Sequence, residues 1–212
     1  TEHRANTHTI KADLSDAAEV DNLADRLAAL PEPIDVLVCA AGVGQRSLAA
    51  HTSYDAHDLI MRTNFDGHVR LTQRVLPSML ERGAGTIVAV SSVQGFFGQP
   101  GRSSYAASKA ALVGYYDSLR AEVAADGLTV IVVAPGYIAT AHAASAVGGD
   151  GASNASSESK GMDPSELARL IVDAMVRGGP SQLVCSQPSG RAAMFLRSLA
   201  PGLFFRLMAS RA

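Results

Sequence analysis

Four short apolar runs, set apart by long stretches of helical period, constrain this chain more than any other feature. Ile34–Cys39 is nearly continuous in apolar residues, the signature of a strand covered on both faces. Thr86–Val90 reads as the next buried strand, Leu128–Ala134 as a β-branched central strand and Gln182–Ser186 as a last one. Strands alternating with helices of this length predict a parallel sheet with helices on both faces, an α/β chain doubly wound in three αβα layers. Ligands of such sheets sit at the carboxyl ends of the strands, so the chemistry is sought along that edge.

A shorter strand is expected over Thr9–Ala12, ending at Asp13. Ser15 is placed to N-cap the helix that follows, with Asp16 and Glu19 in its first turn. Val20, Leu23, Ala24 and Leu27 form its apolar stripe, and Pro31 and Pro33 stop it. Ser53–Arg82 reads as one helix ending at Gly83, and Ser103–Ala125 as another. Asp163-Pro-Ser-Glu166 opens a further helix with an N-cap, a proline at N1 and an acid at N3. Residues 141–161, which include Gly148-Gly-Asp-Gly151, read as a floppy surface loop or as a mobile lid beside a strand end.

The length of 212 residues suits a single domain over residues 1–212. With 47% hydrophobic residues the chain has material for a core, and its formal charge of -2 excludes a polycation built for phosphate backbones. Two cysteines, Cys39 and Cys185, make no disulfide framework and favour a reducing compartment; both read as small buried residues. No Cys or His pair has metal-ligand spacing, so no metal site is predicted. His51, His57 and His68 fall in polar helical context and His142 opens the lid, and all four read as surface or loop residues. No apolar run reaches the roughly 18 residues of a membrane span. The tail over residues 190–212 is apolar, carries Arg191, Arg197, Arg206 and Arg211, and is broken by Pro201-Gly202. It reads either as packed on the domain or a second subunit, or as a membrane-surface or lipid-substrate wall.

The chemistry concentrates in Tyr105-Ala-Ala-Ser-Lys109. Positions i and i+4 share a helix face, which puts the Lys109 ammonium beside the Tyr105 phenol. A phenol of pKa near 10 is a poor base at neutral pH, and lowering it by about three units takes about 4 kcal/mol of preferential phenolate stabilisation. A neighbouring ammonium is suited to that. Thirteen residues upstream, Ser92 follows the Thr86–Val90 strand, where its hydroxyl can hold a substrate carbonyl oxygen. Phe96 and Phe97 lie just beyond, facing an apolar substrate or filling a helix contact.

Ser92, Tyr105 and Lys109 in this spacing resemble the catalytic residues of the short-chain dehydrogenase/reductase family, a Rossmann-like fold. The resemblance implies a catalytic Asn64, from Thr63-Asn-Phe-Asp-Gly67, whose main-chain carbonyl holds a water of the proton relay. It further implies a nicotinamide cofactor, with NADP(H) the expectation, bound by Asp13, Ala41, Gly42, Asn64, Tyr105, Lys109, Pro135, Gly136, Ile138 and Thr140. Ile138 would meet the carboxamide, Thr140 the pyrophosphate region and Asp13 the adenine. The reaction implied is hydride transfer between that cofactor and a carbonyl or alcohol. Residues 199–211 and 102–109 resemble a membrane-attached branch of the family to which activity toward acyl- or alkyl-dihydroxyacetone phosphate is ascribed. That branch implies an endoplasmic reticulum or peroxisomal membrane for the intact protein. A homodimer would be expected to pair through the two long helices.

The chain departs from the family twice. The family opens with a strand and a Thr-Gly-x-x-x-Gly-x-Gly turn leading into a helix, whose backbone meets the cofactor pyrophosphate. Here Gly42-Val-Gly44 and Gly83-Ala-Gly85 read only as turns, so the expectation is a piece of a longer protein, truncated at the N-terminus, that binds dinucleotide poorly by itself. The second departure is Cys39-Ala-Ala-Gly42 where the family reads Asn-Asn-Ala-Gly. The rival reading is a non-catalytic binding or membrane-associated module that has lost the pyrophosphate site. A sugar-nucleotide epimerase would want a larger C-terminal substrate domain.

Overall fold

A computed structural model describes residues 7–140, 146–153, 161–178 and 181–210. Helix α1 (Ala17–Ala28) leads to strand β1 (Val36–Cys39), then α2 (Tyr54–Met61) and α3 (Gly67–Arg82), which a π-helical turn over Arg62–Asp66 joins into one bent rod. Strand β2 (Gly85–Val90), helix α4 (Ser103–Glu122) and strand β3 (Leu128–Pro135) follow. Then come α5 (Pro164–Arg177), β4 (Gln182–Cys185), α6 (Pro188–Leu199) and α7 (Pro201–Ala209). The strands form one parallel sheet in the order β1-β2-β3-β4, with Val38 opposite Val88, Val88 opposite Ile131 and Ala134 opposite Val184.

The pleat divides the apolar residues between two layers. Leu37, Cys39, Ile87, Ala89, Val130 and Val132 face Val20, Leu71, Val75, Leu112, Tyr116 and Leu119 of α1, α3 and α4. Val88, Ile131 and Val133 face Ala174, Leu167, Leu170 and Ile171 of α5 on the other side. The three αβα layers expected from the sequence are present. Among the described residues β1 has no second cover, because α5 packs on β3 and β4; Val36 and Val38 are each 45% exposed. The expectation of a strand buried on both faces is therefore corrected there: β1 buries alternate residues, as the edge strand of the described sheet.

Other boundaries differ for local reasons. Thr9–Ala12 is not in a strand, since no described strand lies beside it. Asp16, not Ser15, caps α1, because its carboxylate accepts from the amides of Ala18 and Glu19, while the Ser15 hydroxyl turns to Asp13. Asp163 caps α5 as read from the sequence, accepting from the Ser165 amide with Pro164 at the first position. Of the predicted lid, residues 141–145 and 154–160, and with them His142, lie outside the described residues. The part between is clasped: Val147 pairs with Gln45 and with Ser153, the Arg46 amide donates to Val147 and the Ser53 amide to Gly149.

His68 is the clearest correction. It begins the buried stripe of α3 (His68, Leu71, Thr72, Val75 and Met79) and is 1% exposed. Burial, and then the Lys109 charge, lower its pKa to about 4. An unfolded chain protonates His68 below about pH 6.5 while the folded one resists until about pH 4. Stability is thus intact above the former and lost as pH falls to the latter, by on the order of 3 kcal/mol. Replacing His68→Leu should flatten this part of the acid limb in urea denaturation between pH 7 and pH 4; an unchanged limb would contradict the assignment.

Candidate active site

The carboxyl ends of β1, β2 and β3 open into a cleft of about 980 Å³, and α4 delivers two side chains into it. Tyr105 and Lys109 share a face of α4, and their position depends on what holds the start of that helix. Arg102 at its N-cap makes no capping bond; the Gln45 side-chain carbonyl accepts instead from the amides of Ser104 at 2.7 Å and Tyr105 at 3.1 Å. Gln45 is fully buried and its amide group donates to Thr52 at 3.1 Å. One turn on, the Ser91 hydroxyl donates to the Lys109 carbonyl at 2.8 Å. Gly95 permits this approach: a Cβ there would lie 2.8 Å from both the Lys109 carbonyl oxygen and Ser91 Oγ.

Asn64 ties the helical side to the strand side. Its Oδ1 accepts from the Val43 amide at 2.7 Å, and its Nδ2 donates to the Val43 carbonyl at 2.9 Å and to Ser108 Oγ at 3.0 Å. Ser108 in turn donates to the Tyr105 carbonyl at 2.8 Å. A continuous path of hydrogen bonds thus runs from the loop after β1 to the backbone of the residue that carries the phenol. Asn64 sits within the π turn, where the hydrogen-bond register shifts and main-chain carbonyls leave the α pattern. The role expected from resemblance, a main-chain carbonyl holding water, needs such a departure.

Electrostatics at the site are governed by burial. The Lys109 ammonium donates to the Val90 carbonyl at 2.9 Å, is 4% exposed, and has its pKa lowered by desolvation to about 8. It stands 5.9 Å from the centre of the Tyr105 ring, close enough to act through its charge. Desolvation raises the Tyr105 pKa above its ordinary value, opposed by a hydrogen bond from Ser92 and by the Arg102 charge. The dry surroundings outweigh both, so the phenol is held above its ordinary value. Ser92 accepts from the Gln94 amide at 3.2 Å, which orients its hydroxyl at the cleft.

The structure brings most of the sequence-derived residues to this cleft. Ala41, Gly42, Ser92, Tyr105, Lys109, Pro135, Gly136, Ile138 and Thr140 line it, and Asn64 lies behind the wall. A Cβ on Gly42 would lie 3.0 Å from Asn64 Oδ1 and 3.5 Å from Lys109 Nζ, so this stretch of backbone offers a bare surface beside the ammonium. Asp13 is not among the lining residues; its carboxylate accepts from the Ser15 amide and hydroxyl, both at 2.8 Å. Phe97 is buried against Phe204 of α7 and also lines the cleft. Cys39, in place of the family's Asn, faces Thr72 and Tyr116, and burial raises its thiol pKa. Gln45, Ser91 and Ser108 went unread in the sequence. Only Ser108 carried a signal, as a small polar residue inside the Tyr105–Lys109 turn.

Comparison with known proteins agrees with this geometry. Residues 1–149 match the family model described as short chain dehydrogenase. Over 207 residues the chain is 42% identical to dehydrogenase/reductase SDR family member 7B of Danio rerio, covering 96% of this chain and 67% of that one. It is 40% identical to the Bos taurus protein of the same name, with 96% and 63% covered. The chain thus spans about two thirds of the length of these relatives. Among solved structures, a short-chain dehydrogenase from Streptomyces avermitilis superposes with a TM-score of 0.80 at 26% identity, covering 99% of this chain and 82% of that one. A 4-hydroxyisoleucine dehydrogenase complexed with NADH and succinate shares the fold, with a TM-score of 0.68 at 24% identity and 84% and 78% covered.

Since Gln45 holds the start of α4, Gln45→Leu leaves two amides without their acceptor and should lower stability by roughly 2 kcal/mol. Chemical denaturation reads the loss; a midpoint equal to wild type would mean that α4 is positioned by something else.

Proposed function

The chain belongs to the short-chain dehydrogenase/reductase family, and from that premise we propose that it passes hydride between NADP(H) and the carbonyl or alcohol group of a lipid-like substrate. The observation that carries the reading is the half-buried Tyr105 beside Ser92 and Lys109 at the polar end of a cleft whose outer walls are apolar. The cofactor's nicotinamide half fits the residues present. The backbone of Ala41 and Gly42 gives a surface without side chains beside Lys109, and Pro135, Gly136, Ile138 and Thr140 supply the facing wall. NADP(H) over NAD(H) follows the family resemblance.

When bound, the nicotinamide supplies two electrons and a hydrogen as hydride to the carbonyl carbon. The residues of the chain do the rest. Ser92 Oγ holds the substrate oxygen, and Tyr105 gives it a proton as the C–O double bond becomes single, leaving alcohol and a tyrosinate that solvent reprotonates. Burial keeps the phenol protonated at rest, which puts the proton in place for donation. Lys109, whose ammonium lies 5.9 Å from the centre of the Tyr105 ring, stabilises the tyrosinate through its charge. Asn64 holds the loop after β1 against α4 through the whole cycle.

The apolar end of the cleft supports the lipid-like substrate. Leu196, Phe204, Leu207 and Met208 of α6 and α7 line it together with Phe97 and Ile171. The outer side of the same hairpin is apolar too: Phe195, Leu199, Leu203 and Phe205 are exposed, and Arg197 lies over the Phe205 ring at 5.0 Å. No acid occurs in α6 or α7, so a symmetric pairing of two copies through this face would oppose arginine to arginine. An anionic bilayer surface suits it better, with the hairpin lying on the membrane rather than crossing it. Among the described residues no helix is long and apolar enough to cross a membrane.

Tyr105→Phe should lower NADPH-dependent reduction of a long-chain ketone by orders of magnitude and leave NADPH affinity almost unchanged; undiminished turnover would end the assignment, and a wild-type chain that binds the ketone but never turns over would favour a non-catalytic module. Separately, the chain should sediment with phosphatidylserine-containing vesicles more than with pure phosphatidylcholine. Joint replacement of Phe195, Leu199 and Leu203 by serine should abolish that, and equal sedimentation of the variant would remove the membrane reading.

A further inference from the structure

The rod made by α2 and α3 offers two polar side chains to the loop after β1. Asn64 bonds the Val43 backbone from the π turn. His68 follows four residues later, on the same side of the rod, and is 1% exposed. Among the described residues neither of its ring nitrogens completes a hydrogen bond. The Ala41 carbonyl is nevertheless close enough to raise the imidazole pKa, against the larger lowering by burial and by the Lys109 charge. Asn64 thus meets the loop at Val43 and His68 approaches it at Ala41, on either side of Gly42. A Cβ on Gly42 would lie 3.5 Å from Lys109 Nζ.

An unpaired imidazole N–H inside a protein costs free energy that an apolar side chain of similar size would avoid. The backbone that carries the ring is held in place: the His68 carbonyl accepts from the Tyr116 hydroxyl at 3.5 Å, and that hydroxyl lies 2.7 Å from Thr72 Oγ1. The loop's own residues, Cys39-Ala-Ala-Gly42, bring no strong side-chain donor to Ala41, since the Cys39 thiol faces Thr72 and Tyr116. We propose that His68 is a positioning residue: its neutral imidazole, turned to complete the bond, donates one N–H to the Ala41 carbonyl and, together with Asn64, fixes the Ala41–Gly42 backbone beside Lys109. A neutral imidazole has one donor and one acceptor nitrogen, so this bond selects one tautomer. On the hydride reading that backbone is the surface for the nicotinamide end of the cofactor, and the proposal rests on that reading only for what the surface carries.

The tie is tested on the full chain without turnover. In nitrogen NMR spectra of the wild type at neutral pH, the His68 ring should show a single neutral tautomer with its N–H hydrogen-bonded; two interconverting tautomers overturn the proposal. In hydrogen exchange, His68→Leu should speed the Gly42 and Val43 amides about tenfold relative to the Val88 and Val132 amides of the sheet, which report global opening. His68→Asn and His68→Gln each carry a side-chain N–H near the place of one ring nitrogen, and one of the two should restore the wild-type ratio. Equal acceleration in loop and sheet would mean that His68 only fills the core, and overturns the proposal. So does a ratio unchanged in His68→Leu, or one that neither polar variant restores. NADPH affinity should fall about tenfold in His68→Leu and recover in the variant that restores the ratio; a loosened loop with undiminished NADPH affinity also overturns the proposal. A wild-type chain that takes up no NADPH would end the hydride reading and leave the exchange result to decide the tie.

Discussion

The side-chain amide of Asn64 is the tie on which the rest of the site depends. It meets the Val43 backbone with both its donor and its acceptor and reaches Ser108 with its second hydrogen, so a single residue joins the loop after β1, the π turn and α4. Each such bond contributes only about 1 kcal/mol net, but leaving the Val43 groups unpaired inside the protein would cost about 1–3 kcal/mol apiece. That asymmetry makes the geometry specific. The loop has one low-energy position against the helix, and Gly42, Tyr105 and Lys109 inherit their relative placement from it.

The same dryness that fixes these bonds sets the charges. Lys109 and His68 are both pushed toward neutrality, to about 8 and about 4, and Tyr105 is pushed away from ionisation. Desolvation is the first cause in all three cases. Among the described residues three cations, Arg46, Arg102 and Lys109, line the cleft and no carboxylate does, so its field is positive. Anionic groups are drawn in. A cation arriving in the cleft would meet repulsion throughout.

Much of this was legible in the residues. Apolar runs broken by helical stripes sufficed for the parallel sheet, because strand burial and helix length leave few other ways to connect the elements. Tyr105 and Lys109 could be read because i and i+4 is itself a spatial relation. Ser92 could be read because a strand end is a place. What remained hidden were the relations that cross the fold. Gln45 caps a helix that begins 58 residues later, and nothing near it in sequence announces the fact. His68 looked like a surface residue between Gly67 and Arg70, although its spacing to Leu71, Thr72 and Val75 marks the inner face of α3. The exposed side of β1 was missed because an apolar strand reads alike whether one or two layers cover it.

The clasp between Val147 and Gln45 has a consequence for how the chain assembles. It joins points about a hundred residues apart, and the ring it closes contains α2, α3, β2, α4 and β3. Closing so large a ring is entropically unfavourable until the sheet inside it has formed, so this contact belongs to the end of folding. Gln45 is held at the clasp and in turn holds the first turn of α4. Tyr105 therefore reaches its place only after β2 and β3 have paired, and partly folded chains, with their apolar surfaces open, carry no assembled site.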